Sequence, residues 1–274
     1  MAWVGPLGGL VEVRAPRGIA PSVARATTYR TTLGGVRKAH QAPRALRQLA
    51  VDLSYSTPEQ VANLAALVSG EYGSGPFWYV DPWAAVTNLL TPTASTLEPG
   101  SWTTTGTVTA AGAVPLVGGG RAGRSLAVAS TADQVFLPRR NGARDDVPVV
   151  PGRPVTASVY ATGAAVSVRI QWVDAAGAGL SSVTAGGSFA GPELGRVAVS
   201  AMPPPGAAAM YVVAFGASRL ARPAVTWTDE ARGWYPGQGM PRCLFPGLDT
   251  SVVLAHDDPD GRGAQHTFTV MEVG

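Results

Sequence analysis

Leu49, Val51, Leu53 and Tyr55 alternate with Ala50, Asp52 and Ser54, the period of a strand with one buried face. Directly after it, Thr57-Pro58-Glu59-Gln60 combines an N-cap hydroxyl, a proline suited to the first helical position and a glutamine placed for a capping box. Val61, Leu64, Leu67 and Val68 then recur at helical spacing up to Gly70, which predicts a helix from Pro58 to Ser69. Phe77-Trp78-Tyr79-Val80 reads as a compact aromatic strand stopped by Asp81-Pro82. Far along the chain, 265–273 reads as a closing strand, with Ser251 to Ala255 before it across the turn-rich Asp257-Asp258-Pro259-Asp260-Gly261. Two such short strands are rarely stable alone, so the tail is expected to complete the N-terminal sheet.

Between these halves the pattern is short strands and turns. Val155, Ala157 and Val159 alternate with Thr156, Ser158 and Tyr160, and Val166, Val168, Ile170 and Trp172 alternate with Ser167, Arg169 and Gln171. Further strands are expected at 125–129, 134–137, 196–200, 210–215 and 224–228. Some eight strands at this spacing predict a mainly β fold. The expected architecture is a jelly-roll β-sandwich over 88–230, inserted in a small α+β domain with one helix made of 1–87 and 231–274.

Composition agrees with this: 34 glycines and 23 prolines in 274 residues disfavour helices, while 46% hydrophobic residues suffice for a core. Cys243 is the single cysteine, so no intramolecular disulfide is expected. The opening Met1-Ala2-Trp3-Val4-Gly5-Pro6 does not read as a secretory signal, and no run reaches eighteen apolar residues; a protein made in a cytoplasm, without a membrane partner, is expected. Net charge is only +3, yet the first fifty residues hold Arg14, Arg17, Arg25, Arg30, Arg37, Lys38, Arg44 and Arg47 against the one acid Glu12. Without interleaved aromatics this excess points to a solvated or subunit-facing surface and away from nucleic acid.

Several short motifs give the middle segment a family resemblance. Asn88-Leu89-Leu90 followed by Gly100-Ser101-Trp102, Pro151-Gly152 ahead of the Val155 strand, 171–177 (Gln171-Trp172-Val173-Asp174-Ala175-Ala176-Gly177) and Trp227-Thr228-Asp229 stand in the order found in family 4/9-type carbohydrate-binding modules, which the segment resembles. The flanks, with Arg44-Ala45-Leu46-Arg47 before the Ala50 to Leu53 strand, the helix, Gly75 to Pro82 and the Phe268 to Gly274 ending, resemble phage tail-tip proteins of the distal-tail or minor-tail class. This resemblance implies a homo-oligomeric ring, six copies being the expected number, beside other tail proteins at the virion tail tip. The inserted module would be displayed towards host cell-wall polysaccharide. The competing expectation is a free-standing lectin or the binding subunit of a polysaccharide-acting enzyme.

Sugar recognition needs flat rings to stack on pyranose faces and planar polar groups to reach hydroxyls. Strand alternation puts Tyr160, Arg169 and Gln171 opposite the core, which makes them the candidate carbohydrate-binding residues; Trp102 and Trp172 are expected in the core. The resemblance also implies a structural calcium, for which Glu98 and Asp229 are the nearest acids, and no other cofactor. No catalytic constellation is legible: His40, His256 and His266 are scattered, Cys243 has no evident base nearby, and the glycine-rich Gly118 to Arg124 stretch lacks the setting of a phosphate loop. A non-enzyme is expected.

Overall fold

The computed structural model describes residues 1–13, 16–24, 27–41, 46–54, 57–140, 143–252 and 264–273. The chain divides into two compact units, one of 1–6, 11–79 and 242–274, the other of 7–10 and 80–241.

The first unit opens with β1 (Ala2–Gly5), β2 (Val11–Val13) and β3 (Pro16–Ala24), a hairpin of β4 (Thr27–Thr31) and β5 (Arg37–Gln41), and β6 (Leu46–Ser54). Helix α1 (Pro58–Ser69) has the bounds its pattern predicts. Gln60 N–H donates to the Thr57 hydroxyl at 3.3 Å and Thr57 N–H to Gln60 Oε1 at 3.3 Å, while Gly70 closes the helix with φ 84°. Leu64 and Leu67 are its buried residues. Strand β7 (Phe77–Val80) follows and is wholly buried.

In the second unit, Asp81 and Thr91 cap two short helical turns, α2 (Pro82–Thr87) and α3 (Pro92–Ser95). Each repeats the cap-then-proline signature of α1, and they add to the one helix expected. The strands are β8 (Thr103–Thr104), β9 (Val108–Ala111), β10 (Val114–Pro115), β11 (Arg121–Ala122), β12 (Ser125–Val128), β13 (Gln134–Leu137), β14 (Arg139–Arg140), β15 (Ala143–Arg144), β16 (Val147–Pro148), β17 (Val155–Val173), β18 (Gly179–Phe189), β19 (Gly195–Ala201), β20 (Ala209–Phe215) and β21 (Arg219–Thr226). The two strands expected at 155–160 and 166–172 are one 19-residue strand, β17. Its first half lies between β19 and β21 and its second half between β18 and β20.

The remaining strands follow the same line, β12 and β9 beyond β21, and β13 and β8 beyond β20, so two antiparallel layers of five strands in like order share β17 and its bend, with short β16 also pairing β20. At the bend Gly163 faces Gly216. A Cβ on Gly163 would strike the Gly216 carbonyl oxygen, and one on Gly216 the Ala165 oxygen, so both positions need glycine. The irregularity adds a residue: buried apolar side chains are odd-numbered before it (Val155, Ala157, Val159, Ala161) and, as far as Trp172, even-numbered after it (Val166, Val168, Ile170, Trp172). Strand β18 escapes sequence reading because its first six residues are exposed on both faces, and alternation appears only from Ala185 to Phe189, where mostly small residues carry it.

Asn88 ties the start of this unit to its end. Its Oδ1 accepts from Leu90 N–H and Val225 N–H at 3.1 Å each, and its Nδ2 donates to Pro223 O at 3.2 Å and Tyr235 O at 3.0 Å. A fully buried amide thereby fills its whole capacity of two donors and two acceptor sites.

The chain then rejoins the first sheet as β22 (Met240–Leu244), β23 (Leu248–Val252) and β24 (Ala264–Glu272), giving the order β2-β1-β7-β22-β24-β6-β3 with β23 beside β24. The tail completes the N-terminal sheet as expected, β24 pairing β6 through Phe268 opposite Val51. The Asp257 to Gly261 turn lies outside the described residues.

Candidate functional site

Cross-strand neighbours in an antiparallel ladder share a face, so the registers assemble the outer surface of the second-half layer row by row. One row is Gln134, Phe215, Ser167 and Gly186; the next is Thr103, Phe136, Val213, Arg169 and Thr184; the third is Tyr211, Gln171 and Ser182; of these Val213 alone is fully buried. Rows two residues apart stand about 7 Å from one another, which makes a corrugated platform. Its aromatic rings are partly exposed, and Phe136 lies 6.4 Å from Tyr211 at a tilt of 44°.

Guanidinium groups surround these rings. Arg169 lies 5.7 Å from the Phe215 centroid and reaches Gln134 Oε1 at 3.4 Å. Arg139 lies 5.7 Å from both Phe136 and Tyr211, and Arg144 5.6 Å from Tyr211. The three rows contain no carboxylate. Asp146, buried beside the platform, meets Arg144 at 3.5 Å. Burial raises its pKa, against the pull of Arg144 and Arg139, and its Oδ1 finds no hydrogen-bond partner. Burial likewise lowers the Arg139 pKa, and the Nε atoms of Arg139 and Arg169 are buried without a hydrogen-bond partner.

Of the residues singled out by pattern, the structure brings Arg169 and Gln171 together here. The Gln171 amide donates to Trp172 O at 3.2 Å and Ser181 O at 3.0 Å, so its free group for a ligand is the amide oxygen. Tyr160 does not join them. It lies on the other side of the bend, on the outer face of the first-half layer, where the β10–β11 hairpin covers it. Its ring packs against Val114, Leu116, Ala122, Leu194 and Ala221, with Arg196 5.6 Å from the centroid. The period-two pattern puts Tyr160 opposite the core correctly, but that face is covered by a hairpin whose packing no local pattern announces. Phe136, Tyr211 and Phe215 were the signal available for the platform, alternating with buried neighbours in strands that sequence reading placed without assigning their outward faces.

Trp172 is buried, as expected, while Trp102 is half-buried with its indole N–H lacking a partner. Glu98 and Asp229 are both exposed and belong to no group of three or more His, Cys, Asp or Glu side chains among the described residues. Two such carboxylates fall well short of the six to eight oxygens that calcium takes, and this donor set does not fit the ion.

No family model matches the chain, and no curated protein does. Among solved structures, it is similar to the enzymatically active domain of tailspike protein 4 of bacteriophage CBA120 (19% identity, 54% of this chain and 22% of that one, TM-score 0.40). It is also similar to the N-terminal carbohydrate-binding and catalytic modules of a Clostridium thermocellum endo-1,4-β-D-xylanase with xylohexaose (12%, 55% and 30%, TM-score 0.35) and to carbohydrate-binding modules of the β-sandwich superfamily (11%, 82% and 91%, TM-score 0.30). The chain thus spans under a third of the length of the first two. At these identities and TM-scores they carry no argument about function.

Proposed function

We propose that this chain is a phage tail-tip subunit whose second unit grips host cell-wall polysaccharide through the Phe136, Tyr211, Phe215, Arg169 and Gln171 platform. The platform itself carries this reading. A pyranose presents an apolar C–H face and a rim of hydroxyls, and partly exposed rings beside guanidinium and amide groups are complementary to both. An extended three-row surface suits an internal stretch of polymer. Arg139, Arg144 and Arg169 further favour a wall polymer that bears acidic groups.

Assembly draws support from the first unit. The β4–β5 hairpin pairs with no other strand among the described residues and exposes Tyr29, Leu33 and Val36 next to Arg30, Arg37 and Lys38. A lone hairpin is marginal in water, and burial against a second copy would stabilise it. Six copies in a ring at the tail tip, beside other tail proteins, is the proposed arrangement; neither hydrolysis nor a calcium cofactor has a part in it.

Pull-down of purified protein on host wall polysaccharide tests the binding role. Wild type should be retained, and Tyr211→Ala and Arg169→Ala should lose at least tenfold in affinity with unchanged melts; wild-type protein passing through unretained would sink the reading. Electron microscopy of the purified chain should show rings, whereas monomers alone would remove the ring and favour a free lectin.

A further inference from the structure

Away from the platform, a cleft of about 380 Å³ is lined by Ser95, Thr96, Glu98, Arg124, Arg222 and Trp234. Among the described residues two non-glycine positions have left-handed backbone: Arg222 (φ 48°), which lines this cleft, and Leu97 (φ 57°), which is buried between the lining residues Thr96 and Glu98. Such conformations cost about 1 kcal/mol or more each and concentrate where a side chain must be held in one place. At 222 the cause is visible. Ser158 pairs Ala224 and Tyr160 pairs Ala221, so β21 carries an extra residue there and the bulge turns Arg222 out of the ladder. Glycine would make this bulge without strain; arginine is held there with its guanidinium 4.9 Å from the Trp234 ring centroid and 2.6 Å from Arg121 O. Trp234 is fixed in turn by its indole N–H donating to Pro223 O at 3.1 Å.

On the opposite wall, Leu97 is buried and anchors the turn that presents Glu98. Glu98 N–H donates to Thr93 O at 2.9 Å, and the Glu98 carbonyl accepts from Ser101 N–H at 3.0 Å and the Ser101 hydroxyl at 2.6 Å. The Thr96 hydroxyl lies 3.4 Å from Glu98 Oε1. Backbone constraints thus hold the acceptor Glu98, the cation Arg222 and the Trp234 ring around one space, which the exposed Arg124 also lines.

We propose that this cleft is a second saccharide site that takes one or two sugar residues, such as a chain end. The inference rests on the carbohydrate-binding reading of the platform. A simple anion would meet Glu98, and a simple cation would meet Arg124 and Arg222. A polyol, which both donates and accepts, matches the mixed set: Glu98 accepts from hydroxyls, Arg124 donates to them, and Trp234 flanks the ring. The volume lies at the small end of the roughly 300–1,000 Å³ typical of ligand pockets, which fits a short ligand better than a polymer.

Saturation-transfer NMR and calorimetry on the full chain would use glucose, galactose, N-acetylglucosamine, rhamnose and glucuronic acid with their β-linked disaccharides as probes, and sodium phosphate as the anion control. At least one short sugar should bind wild type, and Glu98→Gln and Arg124→Ala, both exposed and checked by thermal melts, should weaken it tenfold or more. Unchanged affinity in both folded variants overturns the second site. So does retention on wall polysaccharide with no short sugar bound, an outcome that spares the platform; failure of polymer and short sugars alike overturns both readings. Phosphate displacing the sugar from wild type and binding alone in its place would make the cleft an anion site instead.

Discussion

Arg47 chelates Glu272 within its own chain. The Arg47 Nε and Nη2 atoms reach the two carboxylate oxygens at 3.0 and 3.3 Å, and the Arg47 backbone N–H adds a third contact at 3.2 Å. Arg47 therefore has its acid inside the fold, joining β6 to the closing strand β24, rather than on a ring neighbour. The Glu272 side chain is 2% exposed and that of Arg47 19%. Arg47→Ala leaves a carboxylate buried without its main partner and should cost about 2–4 kcal/mol, towards the lower part of the range for broken buried pairs because Arg47 is partly solvated. Cys243 pairs Glu272 across the sheet, is fully buried, and has its thiol pKa pushed well up by burial, so it should label only on unfolding. Thiol labelling in increasing urea should show the Arg47→Ala midpoint falling; an unshifted midpoint would mean the pair is energetically silent.

Module boundaries make a second prediction. An excised 80–241 segment should melt cooperatively as a strand-rich unit, since its layers carry their own buried core. A shorter 88–230 segment removes Tyr235, whose carbonyl accepts from Asn88, and Gly237, whose N–H donates to the buried Ser95 hydroxyl at 2.7 Å. Leaving such buried groups unpaired costs about 1–3 kcal/mol each, so the shorter segment should melt several degrees lower. Equal melting temperatures would show that neither 80–87 nor 231–241 contributes to stability.

Tyr160 separates stability from binding. Tyr160→Ala opens a void against Val114, Leu116, Ala122, Leu194 and Ala221 and should cost about 2–3 kcal/mol, below the 3–5 of a fully buried aromatic residue. Retention on wall polysaccharide at a temperature where the variant stays folded should match wild type. Lost retention with an unchanged melt would move the site to this face.

Much of this fold was legible because local and tertiary signals agree. The Thr57–Gln60 capping box and Gly70 fix α1 from both ends, and the alternation around Val51 survives in β6. The continuity of β17 was half legible: the inward positions switch from odd to even across Gly163, which records a bulge in one strand as well as it records two strands. What was hidden depends on distant packing. The hairpin covering Tyr160, the arginines gathered from β14 and β15 over Tyr211 and from β17 over Phe215, and the bulge that delivers Arg222 to Trp234 all depend on contacts that no local pattern announces. Glu98, singled out as a calcium ligand, lines a cleft with Arg124, Arg222 and Trp234, the last two more than a hundred residues away in the chain.

His266 gives the first unit a pH dependence of definite sign. It lies in β24 opposite Leu53, 6% exposed, and burial lowers its pKa. The unfolded chain binds a proton near pH 6.5, while the folded chain resists it to lower pH, so the unfolded state holds more protons in between. Stability is therefore complete above about pH 6.5 and is lost as pH falls towards and through the depressed folded value. Asp146 in the other unit works oppositely: its raised pKa stabilises most below the unfolded carboxylate value and loses that contribution as pH rises, so a whole-chain melt would mix the two signs. Cys243 labelling isolates the first unit. Between pH 7.5 and 5.5 the urea midpoint for labelling should fall in wild type and fall less in His266→Gln, which fills similar space without titrating there. Parallel declines in both proteins would show that another group sets the pH response.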